Sequence, residues 1–376
     1  MNYILFDDIT RNNLLPLTFL KPVAEIRIGI LTIREKWEIL LGVKTSTLTE
    51  EYLSNKYPII KEENNILING SVCPSEALVK EINKLKPNQT LVTDEIIIAL
   101  NISEKDLDDS GDMDLSGIDE VMSKAEFYTI NNSWDIFKLN GLAIKNDFEL
   151  LTKGRKSEPL SKTNRVVGRE NIFVEKGATV EFAILNASTG PIYIGKDAEI
   201  MENTVIRGPF ALCNNGVVKM AAKIYGPTTI GPFSKVGGEI NNSVIFGYSN
   251  KAHDGYLGNS VIGEWCNLGA DTNNSNLKNS YDNVKLWSYP QQTFIDTGLQ
   301  FCGLIMGDHS KTGINTMFNT GTVVGINANV FGPGFQLKLC PIIFMGVLQV
   351  LMFTTLKKLL VLRRQYTKGE TSNLMK

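Results

Sequence analysis

The sequence predicts two domains of different class, an α/β domain followed by a parallel β-helix. Three observations carry that prediction. The chain opens with a strand, a polar loop bearing cations and a helix; an aliphatic repeat of period six runs through its middle; and 32 glycines suit a turn-rich solenoid. At 376 residues there is room for two separate cores.

The repeat is the stronger signal. Ile194, Ile200, Ile206, Leu212, Val218, Ile224, Ile230 and Val236 recur at a spacing of six without a miss. In a chain that is about a quarter Ile, Leu or Val, the chance odds are on the order of one in ten thousand to one in a hundred thousand. Helical stripes recur at three or four residues and strands alternate at two, so neither explains a strict six. A parallel β-helix does, because each hexapeptide is one short strand plus a corner, with its aliphatic residue pointing into the prism. The position two before the aliphatic residue lies at the turn and must be small. It reads Ala198, Thr204, Phe210, Gly216, Ala222, Thr228 and Ser234, with Phe210 the exception. The register reappears at Ile262-Gly263 and Leu268-Gly269.

In chain order, Asn2 to Phe6 reads as a buried strand running into Asp7-Asp8. The loop from Asp7 to Pro22 carries Arg11 and Lys21, and Ile30 to Trp37 is helix-like. Open α/β sheets present phosphate ligands in this way. Ile66 to Ile68 reads as a strand ending at Asn69-Gly70, Pro74 to Leu85 as a helix capped by Ser75, Leu91-Val92 and Ile96 to Leu100 as strands, and Trp134 to Leu151 as a helix leading out of the domain. Glu104 to Asp114 is an acidic surface loop. The first domain therefore spans 1–155 and the solenoid 156–335, with an atypical tail at 336–376.

Composition narrows the function. A net charge of −2 gives no broad reason to bind nucleic acid or an anionic membrane, so any phosphate site is local. Five scattered cysteines with no C-x-x-C pair favour reduced thiols in a cytoplasmic protein, and no signal-peptide pattern opens the chain. Only two histidines occur, His253 and His309, so acid or base work by imidazole has two candidates. His309, in a Gly-rich segment, reads as a turn residue in preference to a contact for the phosphates of coenzyme A.

Two stretches carry a family resemblance. Residues 6–38, FDDITRNNLLPLTFLKPVAEIRIGILTIREKWE, resemble the N-terminal signature of the alternate, Bacteroidetes-type GlmU family. Residues 251–276, KAHDGYLGNSVIGEWCNLGADTNNSN, break the six-residue register and resemble that family's acetyltransferase motif. The resemblance covers roughly residues 1 to 335. It implies a nucleotidyltransferase-like domain followed by a left-handed hexapeptide β-helix, assembled as a homotrimer. It also implies uridylyl transfer from UTP to N-acetylglucosamine 1-phosphate, giving UDP-N-acetylglucosamine, and acetyl transfer from acetyl-CoA to glucosamine 1-phosphate.

Residue by residue, the resemblance makes His253 the general base. It places Tyr256, Asn267 and Asn276 on the sugar phosphate, Ala270 against acetyl-CoA, and the next sugar-phosphate lysine at Lys278 or Lys285. Gly303, Leu304 and Thr320 fall where the pantetheine arm would lie. A phosphate wants a cation, which makes Lys251 a further substrate contact. Asn273, Asn274 and Asn276 have an equal claim to be corner residues accepting left-handed φ. The physical case for a histidine is that an ammonium has no lone pair to attack a thioester, so a base near neutrality is needed.

The N-terminal half departs from the pattern of its class. Phe6-Asp7-Asp8 with Arg11 replaces the G-x-G-T-R loop, and Ser71 stands where a metal-binding aspartate is usual. Asp7, Asp8, Arg11 and Lys21 are the nucleotide-binding candidates, with Mg²⁺ expected as the metal and its ligands open. Alternatives are that only one activity is retained, or that the protein is a non-catalytic trimer sensing a sugar nucleotide.

After Phe335 the resemblance stops abruptly. A reading-frame shift near residues 336 to 341 accounts for this; the alternative is an amphipathic terminal helix capping the solenoid. Leu339 to Phe353 is too short and too interrupted for a transmembrane helix.

Overall fold

The computed structural model describes residues 1–103, 117–341, 344–347 and 350–353. The acidic loop expected at Glu104 to Asp114 lies outside them.

The first domain is built on a mixed six-stranded sheet. Its order is Ser46–Leu48, Asn2–Phe6, Asn64–Asn69, Ile97–Ser103, Gln89–Val92, Asp119–Met122. Asn2–Phe6 runs parallel to both neighbours, while Asn64–Asn69 and Ile97–Ser103 are antiparallel. The continuous apolar run Tyr3 to Phe6 is buried on both faces, as a central strand requires. The helix expected from Ile30 begins at Ile33 instead. Thr32 caps it, its hydroxyl taking the Glu35 N–H while the Glu35 carboxylate takes the Thr32 N–H, and Leu31-Thr32 pairs with Arg27-Ile28 as a small hairpin. Ser75 caps the helix Glu76–Ile82 as expected. Asp135–Thr152 is the long helix that closes the domain.

The second domain is a parallel β-solenoid with three faces. One face stacks Arg165–Val167, Ile184–Asn186, Val205–Arg207, Lys223–Tyr225, Glu239–Asn241 and Tyr256–Gly258, each parallel to the next. A second face stacks nine strands, from Ile172–Val174 to Leu339–Cys340. The third contains Thr179–Val180 through Asn250–Lys251. All eight residues of the repeat are at most 1% exposed. Side chains at three residues past the aliphatic position, among them Asp197, Asn203, Asn215, Ala221 and Phe233, take φ between 54° and 61°. These left-handed corners let the chain turn between flat strands, an arrangement that fits a left-handed β-helix. Phe210 is fully buried in the prism.

The nine-stranded face is covered by the first domain. Ile30, Ile144 and partly buried Phe148 and Leu151 pack on Phe173, Tyr193, Ala211 and Cys213. Val244, Phe246, Val261 and Ile305 join the first domain's own core. Thr229 donates to Gly29 O at 2.9 Å and the Asn140 amide donates to Pro227 O at 3.0 Å. The five cysteines are free and buried.

The described part of the tail is strand, not helix. Leu339-Cys340 adds the last rung, Phe344–Val347 pairs in parallel with Asn329-Val330, and Val350–Phe353 folds back on it. Among the described residues, no helix is long and apolar enough to cross a membrane.

Candidate functional site

The break in the repeat sets the geometry. The bridge between Asn250 and Asn267 puts each residue of one coil against the residue 17 further on in the next. His253 therefore lies against Ala270, and Asp254 against Asp271, whose N–H donates to Asp254 O at 3.0 Å. Tyr256 lies against Asn273, whose side-chain oxygen accepts the Tyr256 N–H at 2.7 Å. Coils of a parallel sheet are about 4.8 Å apart, so these pairs are neighbours.

The His253 side chain is exposed on the corner loop between Asn250–Lys251 and Tyr256–Gly258. Gly255 turns that loop with φ 117°, where a Cβ would run into Thr272 O. Tyr256 Oη accepts from Asn276 Nδ2 at 2.9 Å, and Asn276 Nδ2 also donates to Asn259 Oδ1 at 2.8 Å. A Cβ at Gly258 would collide with that tyrosine hydroxyl, which is why a residue without a side chain stands there. Burial raises the Tyr256 phenol above its ordinary range, against bonds from Asn241 and Asn276, so it remains a neutral hydrogen-bonding group.

Asn273, Asn274 and Asn276 are not left-handed corners. Asn273 and Asn274 form a strand paired with Met317 and Phe318, and the corner residue is Asp271, with φ 54°. Asn274 instead bridges the Gly258 N–H at 2.9 Å and Gly258 O at 3.0 Å. Sequence reasoning missed Asn259, Asn273 and Asn274 as the wall behind Tyr256. The signal was the 17-residue offset, which pairs position with position across the interruption.

Several expected contacts are placed otherwise. Lys251 is 2% exposed, inside the prism, so its ammonium is not presented to a sugar phosphate. Burial pushes that ammonium down to about 8, against opposing pulls from Asp254 and Asp271. Leu304 is a core side chain with no exposure. Its N–H is taken by Ser260 Oγ at 2.9 Å, and that of Gly303 by Asn259 O at 2.9 Å, so neither amide is free for a pantetheine arm. Thr320 is buried as well. The strand register inside a closed coil consumes these amides, which spacing alone does not reveal.

Lys278 and Lys285 stand on an excursion that leaves the solenoid at Leu277 and returns at Phe301, carrying the hairpin Lys285–Ser288 with Thr293–Asp296. Both line an open pocket of about 730 Å³ with Tyr281, Asp282, Asn283 and Asp296. Lys278 Nζ donates to Asn283 O. His309 is a corner residue, with φ 62°, and its ring stacks on Trp265 at 6.4 Å. Trp265 stacks in turn on Tyr248 and Tyr248 on Phe233, so four corners in succession carry a ladder of parallel rings.

In the first domain the cations of the opening loop are already engaged. Arg11 is buried and bonded to Asp7 at 3.3 Å, to Thr18 O and to Tyr52 Oη. Lys21 is 1% exposed and pairs across the domain boundary with Asp308 and Glu264, both at 3.1 Å. Both cations are paired with carboxylates of the protein itself. Burial raises Asp7 to about 6, opposed by Thr49, the Val23 N–H and Arg11, all of which it holds. Asp8 spends one oxygen on Thr10 and the other on Asn69, and Ser71 is buried against Asn69. Among the described residues no group of three His, Cys, Asp or Glu side chains is placed to hold a metal. Asp7 and Asp8 keep their carboxylate oxygens on protein donors, so a magnesium ion at this loop would share one of these carboxylates and take its other ligands from substrate phosphates and water.

The Lys251 environment carries a stability prediction. An ordinary lysine titrates near 10.4. The folded chain releases the Lys251 proton near pH 8 and the unfolded chain holds it to a higher pH, so between the two stability rises with pH. Denaturation at pH 7.5 and 9.5 is expected to show the wild type gaining on Lys251→Met by on the order of 1 kcal/mol per pH unit. Equal slopes for the two proteins would mean that the ammonium is solvated.

Residues 3–156 match a family model described as sugar nucleotidyl transferase. The bifunctional sugar-1-phosphate nucleotidylyltransferase/acetyltransferase of Sulfurisphaera tokodaii is 26% identical over 322 residues, covering 81% of this chain and 69% of that protein. The bifunctional protein GlmU of Methanococcus aeolicus is 36% identical over 90 residues, 24% of this chain and 21% of its own length. That of a Picosynechococcus species is 28% identical over 155 residues, 41% of this chain and 28% of its own length. The chain thus spans only about a fifth of the Methanococcus protein and about two thirds of the Sulfurisphaera one.

Proposed function

We propose that this protein is a transferase that N-acetylates glucosamine 1-phosphate from acetyl-CoA, with His253 as the general base. The observation that carries the reading is the coil register, in which an exposed imidazole lies against Ala270 on the same wall as the hydrogen-bonded pair Tyr256 and Asn276. His253 takes a proton from the sugar amine as its nitrogen attacks the thioester carbonyl. The carbon–sulfur bond then breaks, and the imidazolium returns the proton to the departing thiolate. Tyr256, Asn267 and Asn276 orient the sugar, the Ala270 backbone faces the acetyl donor, and Lys278 or Lys285 holds the phosphate. Gly303, Leu304, Thr320 and Lys251 are left out of the contact set for the reasons of burial given above.

A second activity is supported by the family match over residues 3–156 and by the similarity to relatives named as bifunctional. It is nucleotidyl transfer from UTP or another NTP to a sugar 1-phosphate, in an alternate, Bacteroidetes-type GlmU acting in the cytoplasm as a homotrimer.

Incubating the full chain with acetyl-CoA and glucosamine 1-phosphate is expected to release free thiol only when both are present. A parallel arm with UTP, Mg²⁺ and N-acetylglucosamine 1-phosphate reads pyrophosphate. No sugar-dependent thiol would overturn the first reading, and thiol without pyrophosphate would leave acetyl transfer as the sole activity.

A further inference from the structure

Lys251 occupies an interior position of the third face, in register with Val236, at a site where every coil before it places an aliphatic side chain: Val180, Ile200, Val218 and Val236. A charge in such a column is costly unless its donors are satisfied. No carboxylate lies within ion-pair distance of it among the described residues. Its ammonium donates to two backbone carbonyls instead, His253 O at 2.9 Å and Gly237 O at 3.1 Å.

The neighbouring coils explain why those carbonyls need a donor. In three other coils the carbonyl just after the interior residue is met by a threonine hydroxyl. Thr204 reaches Lys219 O at 3.1 Å, Thr272 reaches Gly269 O at 2.7 Å and Thr316 reaches Gly313 O at 2.8 Å. Val236 to Lys251 is a shortened coil, 15 residues where Val218 to Val236 takes 18. Its corner reads Gly237-Gly238-Glu239, and the next reads His253-Asp254-Gly255, with no threonine in either. No backbone N–H among the described residues donates to Gly237 O or His253 O. One ammonium from inside the prism takes the place of both hydroxyls.

We propose that Lys251 is a positioning residue for acetyl transfer: through the carbonyls of His253 and Gly237 it fixes the corner loop that presents the imidazole. This rests on the reading of His253 as base. It gives the lysine a role opposite to that of a phosphate contact, since it acts from the interior on the backbone and touches no substrate. From Val236 to Ile240 the corner takes four residues and from Lys251 to Leu257 it takes six, so the histidine corner has two residues more than the one on the coil before it, and the buried cation restores the rigidity that the lost hydrogen bonds would have supplied.

A double-mutant cycle tests it. Lys251→Met keeps an unbranched side chain as far as Cε and removes the donors. It is expected to lower kcat by about 10- to 100-fold, the scale of a misplaced catalytic group, with KM for acetyl-CoA changed by less than about threefold. In the His253→Ala background the same substitution is expected to cost almost nothing further, because there is no imidazole left to place. Lys251→Gln, which keeps an N–H donor on a shorter arm, is expected to fall between the two and takes the place of the methionine variant if that one does not fold. A kcat equal to wild type, a loss that multiplies fully with His253→Ala, or a failure of both variants to fold overturns the positioning role. If His253→Ala itself keeps full activity, it is the base assignment that fails, and the two failures are told apart.

Discussion

His253→Ala is expected to reduce kcat for acetyl transfer by about 10²- to 10⁴-fold, the range associated with losing a positioned general base. KM for both substrates is expected to stay near the wild-type value, since the imidazole's work is done as the proton leaves the amine. The structure leaves little to substitute for it. The chain has two histidines, and the other, His309, is stacked on Trp265 at a different corner of the prism. Burial holds Tyr256 as a neutral phenol, against the bond it accepts from Asn276. His253 is exposed on a loop, and among the described residues no hydrogen bond of its side chain ties it to the wall, so its removal is expected to leave thermal unfolding unchanged. The check is steady-state kinetics of thiol release beside a melting curve. Loss of stability together with loss of rate would point to a structural histidine.

Lys21→Met is expected to destabilise the whole chain by about 3–5 kcal/mol, the cost of leaving one member of a buried ion pair without its partner. Lys21 lies over the Phe246 ring at 5.2 Å and meets Asp308, whose side chain is only 4% exposed. Burial by itself would lower this ammonium, but Asp308 and Glu264 outweigh burial and hold it above its usual range. Removing it leaves the Asp308 carboxylate with the Glu264 N–H as its remaining donor, at 2.8 Å. Adding Asp308→Asn is expected to recover part of the loss, because the stranded charge goes with it. Urea denaturation of the three proteins decides this. A cost below about 1 kcal/mol would mean that the pair is open to solvent and that the two domains are not locked there.

The opening loop shows how a correct reading of residue types can assign the wrong role. Arg11 and Lys21 follow a buried strand, where phosphate-binding cations belong, and the local pattern holds no further information. Their carboxylate partners are Asp7, four residues away, and Asp308, nearly three hundred residues away. Only folding brings Asp308 to Lys21. The same limit applies to Lys251. Two residues before a histidine it reads as a surface cation, yet the interruption shortens the coil and turns the side chain inward. Gly303 and Leu304 were likewise placed on the coil surface, whereas the ladder uses their amides.

What the sequence by itself determined is the architecture. A period of six is incompatible with helix or simple strand, every residue of the repeat is buried, and Asn2 to Phe6 is the central strand that its apolar run announces. It also confined the candidates for imidazole chemistry to two positions. What only the tertiary structure decided is which polar side chains remain free to meet a ligand. Hydrophobic periodicity is a local property, repeated along the chain and legible in any window of it. The partner that neutralises a charge or uses up an amide comes from another coil or another domain, and its distance along the chain carries no mark in the residues between.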